Sequence, residues 1–204
     1  MTTFTVPDHG ACHTLSGTME SLVMTRQKNW KALFTDAAGL AFAAIWATRG
    51  ATAAHLPKPI MVASLAVISL MLLAGFAYRD LIQCRPEGVK DAALLRRVKI
   101  MRIVAITVMI TAVRSAHHAE LLYPLLGCII GLSYIPMGRA MQEPVHIIVG
   151  GVIVGISALS FLLPEPLHLE VAGFGTALAI WVGSVLRLRN SGTFSVPSRN
   201  ALPS

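Results

Sequence analysis

The sequence predicts an all-α fold, a polytopic transmembrane bundle of about six spanning helices, and three observations carry that expectation. Hydrophobic residues make up 54% of the 204-residue chain and charged residues only 13%, with a mean hydropathy of +0.65. A surface that apolar suits lipid rather than water. Six apolar stretches recur along the chain, each close to the roughly 20 residues that cross a hydrocarbon core. They are divided by Pro- and Gly-containing breakers instead of strand-like alternation, which leaves helices as the spanning element.

The elements follow in order. The first ten residues lack the basic start and apolar core of a cleaved signal peptide, so Met1 is expected to stay on the chain. Between Thr14 and Trp30, Leu15, Met19, Leu22 and Val23 recur at helical spacing, with Glu20, Arg26 and Lys28 on other faces. That pattern predicts an interfacial amphipathic helix leading into the membrane. The spans are then expected at Ala32–Thr48, Pro59–Tyr78, Val98–Val113, Leu121–Met137, Val145–Leu163 and Val171–Leu186, with "HLPKP", "CRPEG", "QEP" and "PEP" among the breakers. The tail "NSGTFSVPSRNALPS" is polar and rich in turn residues, and is expected to be disordered. The organisation is thus a cytoplasmic N-terminal segment over 1–30, a six-helix membrane domain over 31–188, and a tail over 189–204.

Lysine and arginine counts orient the bundle. With these spans, thirteen basic residues fall on one side, from Arg26, Lys28 and Lys31 through Arg79, Arg96, Arg97 and Lys99 to Arg187, Arg189 and Arg199. The opposite side has three, Arg49, Lys58 and Arg114, and Arg102 lies within the third span. The positive-inside rule places both termini in the cytoplasm. The net charge of +7 therefore reads as topology and as contact between the cytoplasmic loops and anionic lipid. No basic stripe with interleaved aromatics marks a nucleic-acid surface.

Chemistry-bearing motifs are few. Cys12, Cys84 and Cys128 share no outer face, so no structural disulfide is expected. The chain has no CxxC, HExxH, GxSxG, Walker loop or strand-borne GxGxxG. The histidine, aspartate and serine set of the intramembrane zinc hydrolases of the ceramidase and adiponectin-receptor kind is not reproduced. No enzyme activity, cofactor or metal is signalled.

The polar residues near membrane depth are the informative ones, because each is costly there unless paired or wetted. Asp36 and Arg102 stand at similar depth in the first and third spans, and an ion pair is the cheapest way to keep both. The bland alternative has Arg102 snorkelling to the interface and Asp36 capping a later helix start. On the outer side, Arg114, His117 and His118 follow at i, i+3 and i+4, with Glu120 just beyond. One helical face presenting them suits a proton relay or a metal site, and adjacent histidines pointing apart argue against it. A solvated turn between the third and fourth helices is the favoured reading.

At the inner end of the fourth span, "GCIIGLSYIPMGRAMQEPVHIIVGGVIVG" pairs Gly127 with Gly131 and Gly151 with Gly155, spacings that let helix backbones approach. Pro136 and Gly138 loosen the fourth helix near its end, and Pro144 starts the fifth. A tightly packed hairpin is the simpler reading. The sharper one opens a pocket receiving Tyr134, Arg139 and His146.

"GLSYIPMG" followed by "EPVHIIVGG" resembles a hairpin of small bacterial six-helix integral membrane proteins. The resemblance covers about thirty residues and implies a compact bundle in a bacterial inner membrane. Where that pattern has a histidine, this chain has Ser133. Two functions remain open. One is a small-solute or ion carrier whose path is marked by these polar clusters. The other is a non-transporting protein that packs as a homo-oligomer or as an accessory subunit through its glycine faces. Only hydroxyls such as Ser69, Thr107, Thr111 and Ser133 lie near mid-membrane, which weakens the carrier reading, since transporter sites gather at the midplane.

Overall fold

A computed structural model describes residues 19–83, 87–118 and 121–193. Among them the chain is all-helical: α1 (Met19–Ala53), α2 (Lys58–Ala77) continued by a π turn (Tyr78–Ile82), α3 (Ala92–Ser115), α4 (Leu122–Met141), α5 (Pro144–Ser160) and α6 (Leu167–Asn190). Three stretches, Pro59–Ile82, Leu122–Met141 and Leu167–Asn190, are long and apolar enough to cross a membrane, and α5 is apolar but shorter. Helices α1 and α3 have the length but carry more charge.

The expected interfacial segment and the first expected span belong to one helix from Met19 onward. Helix α1 runs unbroken through Trp30 for 35 residues, about 52 Å at 1.5 Å per residue. The tail expected from 189 is helical as far as Asn190, and beyond 193 it lies outside the described residues.

Local sequence explains where the helices begin and stop. Pro144 begins α5 and Pro59 lies in the first turn of α2, positions where the missing N–H is not needed. Asp91 caps α3 by accepting from the Leu94 N–H at 2.8 Å. Three helix ends close in the same way on a left-handed residue that is not glycine: His55, His117 and Gln142, with φ of 53°, 58° and 53°. At each, the following N–H reaches back over the last turn: Leu56 to Ala51 O, His118 to Val113 O, Glu143 to Gly138 O.

Helix packing runs through glycines. α4 and α5 form the tightest pair, and a Cβ on Gly131 would stand 2.8 Å from Gly150 O and 2.9 Å from Val154 N. α1 and α6 cross where Gly50 meets Gly173. Of the glycines singled out in the sequence, Gly127 and Gly131 lie in the α4–α5 seam. Gly151 and Gly155 face open space, and Gly150 takes the seam instead. The central core joins Ala43, Trp46 and Ala47 of α1 to Ile130 of α4, Val149 and Ile153 of α5, and Ala177 and Ile180 of α6. α2 has little of its surface buried, showing Ile60, Val62, Leu70 and Met71 outward. α3 packs along α4 and makes no extended contact with α1.

The seam predicts a contrast between neighbours. Gly131→Ala and Gly150→Ala should each destabilise by about 1–3 kcal/mol through overpacking of backbone on backbone. Gly151→Ala should be neutral or gain up to about 1 kcal/mol from helix propensity. Unfolding of the purified protein in detergent, followed by circular dichroism, distinguishes them.

Candidate functional site

Charges taken as loop residues from sequence meet inside the bundle, at the end where α2, α4 and α6 finish. Arg79 and Asp80 are both fully buried. Adjacent residues on a regular α-helix point about 100° apart, since a turn takes 3.6 residues. The π turn, closed by Gln83 N–H to Tyr78 O at 2.9 Å, widens the helix at this point, and both side chains lie inside. Glu87 arrives from the segment before α3, which is pinned to the end of α4: the Lys90 and Asp91 N–H groups donate to Ala140 O at 3.0 and 3.1 Å. Arg187 comes from the last turns of α6, Asp36 from α1, and His146 from the first turn of α5.

Two guanidiniums and two carboxylates close a ring. Arg79 donates from Nη2 to Asp36 Oδ2 and from Nη1 to Glu87 Oε1, each at 3.0 Å. Arg187 donates from Nη2 to Asp36 Oδ1 at 2.6 Å and from Nε to Glu87 Oε1 at 2.7 Å. Arg79 also donates from Nε to Asp80 Oδ1 at 2.6 Å. Both guanidinium carbons lie over the Phe76 ring, 4.8 and 5.0 Å from its centroid. That arrangement adds cation–π attraction where solvent is excluded. Arginine suits the post because its planar fork serves two carboxylates at once.

With Asp80 beside the ring, three carboxylates stand against two arginines. His146 faces the excess, its Nε2 at 3.7 Å from Glu87 Oε2, beyond hydrogen-bond length. Both atoms are buried without a hydrogen-bond partner. Tyr134 packs edge-on against the His146 ring at 5.7 Å. Burial pushes the Glu87 carboxyl up, and the His146 ring with the Arg187 and Arg79 charges more than offsets it, leaving Glu87 well below the usual carboxylate range.

Beside the ring lies a pocket of about 540 Å³, within the range of small-molecule sites. Asp36, Arg79, Glu87, His146 and Arg187 line one wall. Lys31, Lys99 and Arg102 line it too, and none of these three makes an ion pair among the described residues. The pocket lining therefore carries five cations and two carboxylates. Deeper in, Trp46, Ile130, Val149 and Ile180 close the pocket with the central core.

The expected Asp36–Arg102 pair is replaced: both Asp36 oxygens are taken by Arg79 and Arg187, and Arg102 lines the same pocket without joining the ring. Depth argued from regular helices missed the partner that the π turn rotates inward. Of the inner set, Tyr134 and His146 line the pocket, and Arg139 is exposed on α4 and takes no part. On the far side α3 ends at Ser115, so Arg114, His117 and His118 do not share a helical face. All three are exposed, His117 as the left-handed residue of the cap, and Glu120 lies outside the described residues. Arg79, Asp80, Glu87 and Arg187 were not singled out by sequence. The one signal pointing to them was Asp36, a carboxylate in an apolar span that needs a cation.

Arg79→Met should cost about 3–5 kcal/mol, because it leaves three buried carboxylates with one arginine. Adding Asp36→Asn should recover part of that loss, a non-additivity that denaturant unfolding in detergent reads directly. Glu87 sets the acid limb. Its folded pKa lies below the unfolded value near 4.5, so its contribution is complete above about pH 4.5 and is lost as pH falls through the folded value. The melting temperature should hold from neutrality to about pH 5 and fall below it, and Glu87→Gln, already destabilised, should fall less steeply. No family model matches the chain, and neither a curated protein nor a solved structure does.

Proposed function

We propose that the chain is a six-span inner-membrane protein that takes an anionic solute into the pocket beside the arginine–carboxylate ring, as a small-solute carrier. The observation that carries the reading is the set of unpaired cations, Lys31, Lys99 and Arg102, around a 540 Å³ space whose other charges are already paired or buried. Lys31 and Lys99 are exposed at the pocket and Arg102 is half-buried; like charges gathered round one space repel, and an anionic ligand offsets that repulsion. The arginines of the ring are committed to carboxylates, so they preorganise the wall and leave recognition to the three free cations.

Six spans accord with the apolar side chains that α1 and α3 turn outward, Phe34, Phe42, Ile45, Ile103, Val104 and Val108. α5, at 17 residues, covers about 26 Å of a core roughly 30 Å thick. The excess of basic residues at the pocket end supports a cytoplasmic position for that end and both termini. In this reading the structure is the state open to the cytoplasm, and Trp46, Ile130, Val149 and Ile180 are the closed outer gate. The alternative, association through a helix face, has Gly151 and Gly155 turned outward from α5 in its favour.

Two experiments test this. In a variant with its native cysteines replaced, Ser204→Cys should resist an impermeant thiol reagent in intact cells and Leu167→Cys should react; the reverse pattern would refute the orientation. Thermal unfolding in a zwitterionic detergent should shift upward with inorganic pyrophosphate and not with an equal ionic strength of chloride. That shift should disappear in Lys99→Gln/Arg102→Gln. An identical shift in wild type and variant would remove the pocket as the anion site.

A further inference from the structure

We propose that the occupant of this pocket is an anionic membrane lipid with a phosphate-bearing headgroup, which enters sideways between α1 and α3; the proposal rests on the anion-binding reading and names its ligand. The walls grade from charged to apolar along the helix axes. On α1 the lining residues run Lys31, Thr35, Asp36, Gly39, Phe42, Trp46, and on α3 they run Lys99, Arg102, Ile106. From Lys31 to Trp46 is about 22 Å at 1.5 Å per residue, somewhat more than one leaflet's roughly 15 Å share of the hydrocarbon. A soluble anion uses only the charged end of such a site. A lipid uses both ends, with its phosphate against Lys31, Lys99 and Arg102 and an acyl chain along Gly39, Phe42 and Ile106.

The way in is lateral. α1 and α3 face each other across the pocket without extended contact, while α4, α5 and α6 supply its back wall. Phe34, 77% exposed, lines both this pocket and a second recess immediately outside it, formed by Trp30, Lys31, Phe34, Thr35 and Lys99. Small residues on α1 make the room, since a Cβ added at Gly39 would meet nothing within 4 Å. At the charged end His146, 4% exposed, lines the same wall with its Nε2 3.7 Å from Glu87 Oε2. Two lysines and an arginine match a phosphate headgroup by charge and hydrogen bonding.

Trp46 supplies the readout, because it lines the pocket and is only 4% exposed, out of reach of bulk lipid. The protein with Trp30→Phe and Trp181→Phe is reconstituted in phosphatidylcholine vesicles containing either acyl-brominated phosphatidylglycerol or acyl-brominated phosphatidylcholine, and Trp46 fluorescence is measured. The anionic brominated lipid should quench Trp46 several-fold more strongly than the zwitterionic one. Arg102→Gln should weaken that quenching by about five-fold, the effect of one basic residue at an anionic surface. Gly39→Phe, which puts a ring where an added Cβ meets nothing within 4 Å, should abolish it while the circular dichroism and melting temperature stay unchanged. Equal quenching by both lipids would overturn headgroup recognition. No quenching, with the pyrophosphate shift retained, would overturn the lipid and leave a soluble anion as ligand. Loss of both signals would overturn the anion-binding reading itself.

Discussion

Everything at the charged end of the molecule hangs on one closed circuit, in which Arg79 and Arg187 each bridge Asp36 and Glu87. The circuit ties α1, the end of α2, the segment before α3 and α6 into one unit. A single buried ion pair seldom repays the removal of two ions from water. Here each arginine spreads its donors over two or three carboxylates and rests on Phe76, so the desolvated charge is shared. Hydrophobic packing alone would hold α2 weakly, for its outward face is almost wholly apolar and its inward contacts are few, among them Gly75 against Leu188. The ring supplies specificity that so sparsely buried a helix otherwise lacks.

The same circuit shapes the pocket. By consuming Asp36 and Glu87 it leaves the nearby Lys31, Lys99 and Arg102 without acidic partners, so the positive character of the site follows from pairing elsewhere. The separation between α1 and α3 has a related cause. α3 is held by its seam with α4 and by the Asp91 cap, and its segment is fastened to Ala140 O, none of which involves α1. An open flank and a charged floor arise from one set of constraints.

Helical character, breakers and the positions of the apolar stretches were legible in the sequence because they depend on local composition and period. Asp36 was legible as a residue needing a cation. Its partners were not, since the depth of Arg79 and Asp80 depends on a π turn that no residue type announces, and Arg187 looks like one more basic residue at a helix end. The glycine seam was half legible. Gly127 and Gly131 read correctly on α4, whereas α5 presents Gly150, Val154 and Ser157 to the seam, and only the register between the two helices shows that Gly151 and Gly155 look away. The histidines of the α3–α4 connection illustrate the opposite failure. Their spacing matched a helical face, and a left-handed cap at His117 ended the helix first.

The ring also imposes an order on how the protein is made. Asp36 and Arg79 are 43 residues apart and meet once α2 is in place, but Asp36 lies 151 residues from Arg187, and Glu87 lies 100. The final partner sits on the last helix, so during synthesis the first helices carry two carboxylates beyond what Arg79 can balance. Those groups must stay hydrated until α6 arrives. Completion of the circuit thus waits for α6, and a polypeptide truncated before α6 would display to the cell's quality-control machinery the acidic residues that the folded protein conceals.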